Sequence, residues 1–205
     1  MAGRMKEKFE NILYYHKTKI LAGLAAAALL LYAVAVLGGE NADTALYGES
    51  VNVKLSPEDV EQVCEAGSHA LGLDAGKEQI LFETGMEIDV NDPDNNAMSG
   101  NLEKMTTAIF AHEIDFMVCT PEVMDYYAGK DSLEKIDALA GVGSDELEER
   151  FEESEDSSGE RVVYGVNLSG TALEGADKDT VFCIFRNSER KADTVDFLES
   201  IIQKE

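Results

Sequence analysis

The apolar positions of this chain fall into one unbroken run followed by an alternation of two shorter periods. From Ile20 to Leu37 the residues Ile-Leu-Ala-Gly-Leu-Ala-Ala-Ala-Ala-Leu-Leu-Leu-Tyr-Ala-Val-Ala-Val-Leu carry no charge. At about 1.5 Å per residue such a helix would reach ~27 Å, enough to cross a hydrocarbon core. Beyond it, Ala45, Leu46, Tyr47, Val51, Val53 and Leu55 read as a first strand. Ser56-Pro57-Glu58-Asp59 reads as a helix start: Ser as N-cap, Pro at the first helical position and acids in the first turn. Val60, Val63, Cys64, Ala70 and Leu71 continue it at helical spacing. Asp74-Ala-Gly76 is a turn, and Gln79–Thr84 reads as a second strand extending toward Ile88.

After the polar loop Asp89–Asn96, a helix is expected from about Gly100, with Leu102, Met105, Thr106, Ile109 and Phe110 on one side. Ile114-Asp-Phe-Met-Val-Cys119 is short and almost wholly apolar, the pattern of a strand covered on both faces. Thr120-Pro121-Glu122 caps a further helix ending near Gly129, and Leu133, Ile136 and Leu139 fit a second short one. Ser144–Glu160 is dominated by acids and reads as a solvated helix with a Ser157-Ser-Gly159 loop at its end. Arg161–Leu168 and Thr180–Phe185 read as strands, and Asp193–Gln203 as an amphipathic helix. Strands alternating with helices predict an α/β fold: a three-layer domain with a mainly parallel sheet, preceded by a single N-terminal transmembrane helix. The expected organisation is a basic stub over 1–19, the span over 20–37, a linker over 38–44 and the α/β domain over 45–205.

Charge sets the orientation. Arg4, Lys6, Lys8, Lys17 and Lys19 precede the span, and no basic residue follows it until Lys54. The positive-inside rule places the N-terminus in the cytoplasm and the domain outside the cell membrane. Tyr14, Tyr15 and Tyr32 are suited to the headgroup level. The competing reading is a cleaved signal peptide, but the small-x-small triplet Ala33-Val-Ala35 lies inside the apolar run rather than after it.

The chain has 41 acidic and 17 basic residues, and only two of the acids, Glu7 and Glu10, come before the end of the span at Leu37. An outer domain this acidic repels phosphate backbones and anionic headgroups, so nucleic acid is not an expected partner. An apolar share of 44% is enough for a folded core. Cys64, Cys119 and Cys183 form no C-x-x-C pair; Cys119 and Cys183 sit in apolar strand-like runs and are expected as buried thiols.

Several local patterns invite chemistry. Asp92-Pro-Asp94-Asn-Asn96-Ala-Met-Ser-Gly-Asn-Leu-Glu103 places oxygen ligands as a calcium loop does, but Ala97 stands where the sharp turn wants glycine. His112-Glu113 with Asp115 lacks the second histidine of a zinc helix, and the three straddle a helix end and a strand start. Gly141-Val-Gly143 is too short to cradle phosphate. Ser169-Gly-Thr171 follows a strand, where either a ligand loop or an ordinary turn is expected. No catalytic, cofactor-binding or metal-binding residue set stands out.

Two stretches carry a resemblance. Thr107-Ala-Ile-Phe-Ala-His-Glu-Ile-Asp-Phe-Met-Val-Cys-Thr-Pro-Glu-Val-Met-Asp-Tyr-Tyr-Ala128, with Leu133 and Ile136 beyond it, resembles a segment of type II solute-binding proteins. Asp115 near a strand start and the pair Tyr126-Tyr127 match, whereas Glu134-Lys135-Ile136 replaces an Asp-Leu element. Val163-Tyr-Gly-Val-Asn-Leu-Ser-Gly-Thr171 is similar to the returning strand of that fold. Phe9–Lys19 and the span together look like a group of uncharacterised membrane-tethered Gram-positive proteins. The resemblance implies one lobe of a solute-binding fold, or a degenerate relative that has lost the ligand cleft.

The function expected is therefore a membrane-anchored extracytoplasmic domain, without catalytic activity, that binds a protein or small ligand. The alternative is a degenerate or single-lobe solute-binding domain that captures a small molecule for uptake or sensing. A concave site near Asp115, Ser169 and Asn187 would favour the latter, and a filled strand-end surface the former.

Overall fold

The two short apolar runs become the centre of the sheet. In the computed structural model, which describes residues 42–92, 99–139, 145–176 and 179–202, the strands are β1 (Asp43–Val51), β2 (Glu78–Met86), β3 (Phe116–Cys119), β4 (Phe151–Glu155), β5 (Arg161–Asn167) and β6 (Val181–Ile184). They form one sheet in the order β2-β1-β3-β6-β5-β4. Every residue of β3 and β6 is buried, because helices cover both faces. Side chains alternate between those faces: Phe116, Val118, Phe182 and Ile184 join one apolar cluster, while Met117, Cys119, Val181 and Cys183 join the other.

The first cluster is closed by α1 (Pro57–Ala70), through Val60 and Val63, and by α5 (Lys191–Ile202), through Val195, Phe197, Leu198, Ile201 and Ile202. The second is closed by α2 (Ser99–Phe110), through Met105 and Ala108, and by α3 (Pro121–Ala128), through Val123, Met124 and Tyr127. Phe116 anchors the first. Its ring stacks on Phe182 at 5.0 Å and meets Phe82 at 5.3 Å and Phe197 at 5.2 Å. Gly48 makes room for it, since a Cβ there would lie 2.1 Å from the Phe116 ring.

The sheet is mixed rather than mainly parallel. β1 runs parallel to β2 and β3, but the β3–β6, β6–β5 and β5–β4 pairs are antiparallel. The reason lies in the connections. A parallel neighbour needs a crossover, usually helical, whereas β4 joins β5 by a tight turn. The acidic stretch expected as a helix is thus corrected. Only α4 (Asp145–Glu148) is helical, and Phe151–Glu155 is an edge strand. In the turn, the Asp156 carboxylate accepts from the N–H groups of Ser158 and Glu160 at 2.8 and 3.0 Å, and the Ser158 hydroxyl at 2.6 Å. These bonds hold the Asp156 carboxyl below its usual range, the Ser158 hydroxyl contributing most. Gly159, with φ 84°, completes the reversal.

A 3-10 turn at Ile136–Ala138 replaces the second short helix expected there. Phe110, expected on the packed side of its helix, is 80% exposed. The described residues belong to a compact unit, Ala42–Glu205. Among them no helix is long and apolar enough to cross a membrane, and the Ile20–Leu37 stretch lies outside them.

Candidate functional site

Helices α2 and α3 end in the same way, and their ends frame a cleft. After α2, His112 adopts φ 59°; its N–H donates to the Ile109 carbonyl at 3.1 Å, and that of Glu113 to Ala108 at 3.0 Å. After α3, Asp131 adopts φ 54°; its N–H donates to Ala128 at 2.9 Å, and that of Ser132 to Tyr127 at 3.1 Å. Both are Schellman closures built on a left-handed residue that is not glycine. They satisfy terminal carbonyls within the chain, so the space between the helix ends need not be filled with water to serve them.

That space is a cleft of about 540 Å³. Ile109 and Phe110 of α2 and Tyr126 and Tyr127 of α3 give it apolar walls, and Lys130, Arg186 and Asn187 bring polar groups to it. Tyr126 and Tyr127 meet edge to face at 5.1 Å, and Tyr127 meets Phe185 in the same way at 6.0 Å. The Tyr127 hydroxyl is buried without a hydrogen-bond partner, and burial pushes its pKa up. Asn187 donates its Nδ2 to the Ile109 carbonyl, leaving its Oδ1 buried and unpartnered. Each such group costs about 1–3 kcal/mol when left unpaired. Both belong to residues that line the cleft, so its wall carries two polar groups that the fold leaves unserved.

The cations are also without carboxylate partners. Lys130 Nζ lies 4.7 Å from the centre of the Tyr126 ring. The Arg186 guanidinium donates to the Asp131 carbonyl at 3.3 Å. Among the described residues neither makes an ion pair, whereas Lys77, Lys104, Arg161, Arg190 and Lys191 each do. The Asp131 carboxylate is engaged instead by the Ser157 hydroxyl and N–H, at 2.5 and 3.4 Å.

The residues singled out from the sequence are not gathered here as a set. Asn187 lines the cleft, but Asp115 is fully buried beside it in the fold, bound to Arg190 through two contacts of 3.0 and 2.9 Å. Ser169 follows β5 and lies at the opposite end of the sheet, because Asn167 pairs with Val181 while Phe116 pairs with Ile184. Its loop is an ordinary turn: Ser169 N–H donates to Asn167 Oδ1 at 2.8 Å and Thr171 N–H to Leu168 at 3.0 Å. His112 lines the cleft and is separated in role from the buried Asp115. Of the Asp92–Glu103 stretch, residues 93–98 lie outside the described residues, as do Gly141-Val-Gly143.

One further cluster escaped the sequence. Glu49 of β1 is buried and accepts from the Tyr47 hydroxyl at 3.0 Å, with Lys104 Nζ at 3.8 Å. Burial raises its pKa against the opposing pull of Tyr47 and Lys104. Lys104 also binds Glu83 at 2.8 Å, which holds Glu83 below its usual range. Nothing in the run Leu46-Tyr-Gly-Glu-Ser50 distinguishes an inward glutamate from an outward one until its helix neighbour is known. Cys119 and Cys183 are free, fully buried thiols, as their apolar settings led one to expect. Compared with known proteins, the chain matches no family model, no curated protein and no solved structure.

Proposed function

We propose that this protein is a membrane-anchored, extracytoplasmic binding domain without catalytic activity, and that the cleft between the ends of α2 and α3 is its binding site. One observation carries the reading. Tyr127 and Asn187, which both line the cleft, each carry a buried polar atom without a partner, Tyr127 Oη and Asn187 Oδ1. A ligand that pairs with them recovers a cost the fold otherwise bears. The exposed Phe110 at the rim adds apolar surface that no internal packing explains.

A screen of small fragments against the full-length chain, followed by amide NMR, tests the site. Shifts should cluster on Ile109, Phe110, Tyr126 and Asn187 and vanish in Thr106→Trp, whose indole would fill the cleft. Fragments that bind elsewhere, or that ignore the plug, would remove the proposal. The anchoring half stands on the basic residues ahead of Ile20–Leu37. A reporter active only outside the cytoplasm should work after Glu205 and fail after Lys8; the reverse result would overturn the orientation.

A single solute-binding lobe is the second reading, favoured by a cleft volume within the range of small-molecule sites, roughly 300–1,000 Å³. It makes the same prediction for the fragment screen and differs in requiring a free small solute as the occupant.

A further inference from the structure

We infer that the cleft recognises a carboxylate ligand with an apolar body and one N–H or O–H donor; this rests on the cleft being the binding site. The argument is an inventory of what the lining still has to give. Spare donors are the Tyr127 hydroxyl, the Lys130 ammonium and the guanidinium of Arg186, none of which meets a carboxylate. Asn187 Oδ1 is a buried acceptor without a donor, and the Tyr127 hydroxyl can accept as well as donate. Two of the donors are cationic, and the lining sets one carboxylate, Asp131, against them, so the balance of charge suits a carboxylate better than an amine or a neutral amide.

One feature of the wall disfavours an anion, the Asp131 carboxylate. It accepts from Ser157, and the last carbonyls of α2 and α3 are tied into their closing turns. The net charge of −24 would repel anions at long range, and two cations against one carboxylate in the cleft locally oppose that field. Asn187 Oδ1 asks the ligand for a donor, and the walls of Ile109, Phe110 and Tyr126 ask it for apolar bulk. A small hydroxy or N-acyl amino acid has this chemistry, as does the C-terminal residue of a peptide with an apolar side chain.

Four probes test the inference on the full-length chain by amide NMR titration: N-acetyl-L-phenylalanine, its carboxamide, 3-phenylpropionate, and a hexapeptide ending in the same phenylalanine. The acid should bind about tenfold more tightly than its carboxamide, the size expected for a charge-assisted contact. 3-Phenylpropionate, which lacks the donor for Asn187, should fall between them. Lys130→Gln and Arg186→Gln, both at exposed positions, should shrink the acid-to-amide difference, and Thr106→Trp should abolish binding of all four. Equal affinity of free acid and hexapeptide assigns the site to small acids; a hexapeptide preference of about tenfold or more assigns it to peptide termini. If the carboxamide binds in the cleft as well as the acid, or better, the ligand class is wrong while the cleft stands as a site. If no probe shifts cleft residues, the cleft reading itself falls.

Discussion

Asp115 carries a charge in the fully buried interior, and its surroundings show how the fold tolerates it. Its two oxygens accept from Arg190, from the Ser188 hydroxyl at 2.7 Å and from the Tyr47 N–H at 2.8 Å. Arg190 in turn donates to the Thr44 carbonyl at 2.9 Å, so one ion pair ties the approach to α5 to β1 and the start of β3. Removing one partner of a buried pair strands the other, and Asp115→Ala should lower the unfolding free energy by about 3–5 kcal/mol. Urea denaturation measures this, and a loss below about 1 kcal/mol would show that water already serves the arginine. Glu49 behaves differently. Its pKa is raised by burial, so its favourable contribution is present below the ordinary carboxylate range and is lost as pH rises through the raised folded value. Glu49→Gln, which keeps an acceptor for Tyr47, should therefore gain stability relative to the parent as pH goes from about 4 to about 7. A gain that shrinks over that interval would reverse the assignment of burial as the dominant effect.

At the scale of elements, the sheet depends on close approaches that few residues allow. Gly48→Ala would press a methyl into the ring of Phe116, which is itself held by Phe82, Phe182 and Phe197. The expected cost is about 1–3 kcal/mol, read as a lower thermal midpoint, and an unchanged midpoint would mean that the aromatic cluster yields freely. The same packing explains which elements could be read from the chain. Phe116–Cys119 and Val181–Ile184 announce themselves because both faces are covered, which leaves no polar alternation to confuse the pattern. β4 hides, because an edge strand rich in glutamate has the composition of a solvated helix. Strand direction hides too, since it depends on whether a connection crosses over or simply turns back. The cleft was legible only in fragments. Tyr126-Tyr127 and Asn187 were noticed, but Lys130, Arg186 and the exposure of Phe110 follow from where two helices end, and those ends use His112 and Asp131 rather than the glycines that would mark them.

For the whole molecule, the surplus of acid is a repulsion that folding has to overcome. Of the 41 acidic residues, 39 lie beyond Leu37, and among the described residues ion pairs engage only Glu49, Asp74, Glu83, Asp115, Glu134 and Glu153. Added salt shortens the screening length from ~30 Å at about 0.01 M to ~8 Å at about 0.15 M. The urea midpoint of the full-length chain should rise over that range, whereas ion-pair-dominated stability would make it fall.

The sheet order has a consequence for when the protein can fold at all. β6, which begins at Val181, sits between β3 and β5, and Asp115 waits for Arg190. A ribosome delivers the chain from its start, so at any earlier moment the sheet lacks a middle strand and its buried aspartate lacks a counter-charge. Synthesis past Arg190 is therefore a precondition for the complete sheet and its buried ion pair. Until then the native sheet cannot close, which is the condition a domain must satisfy if it is to be passed through a membrane pore before it folds.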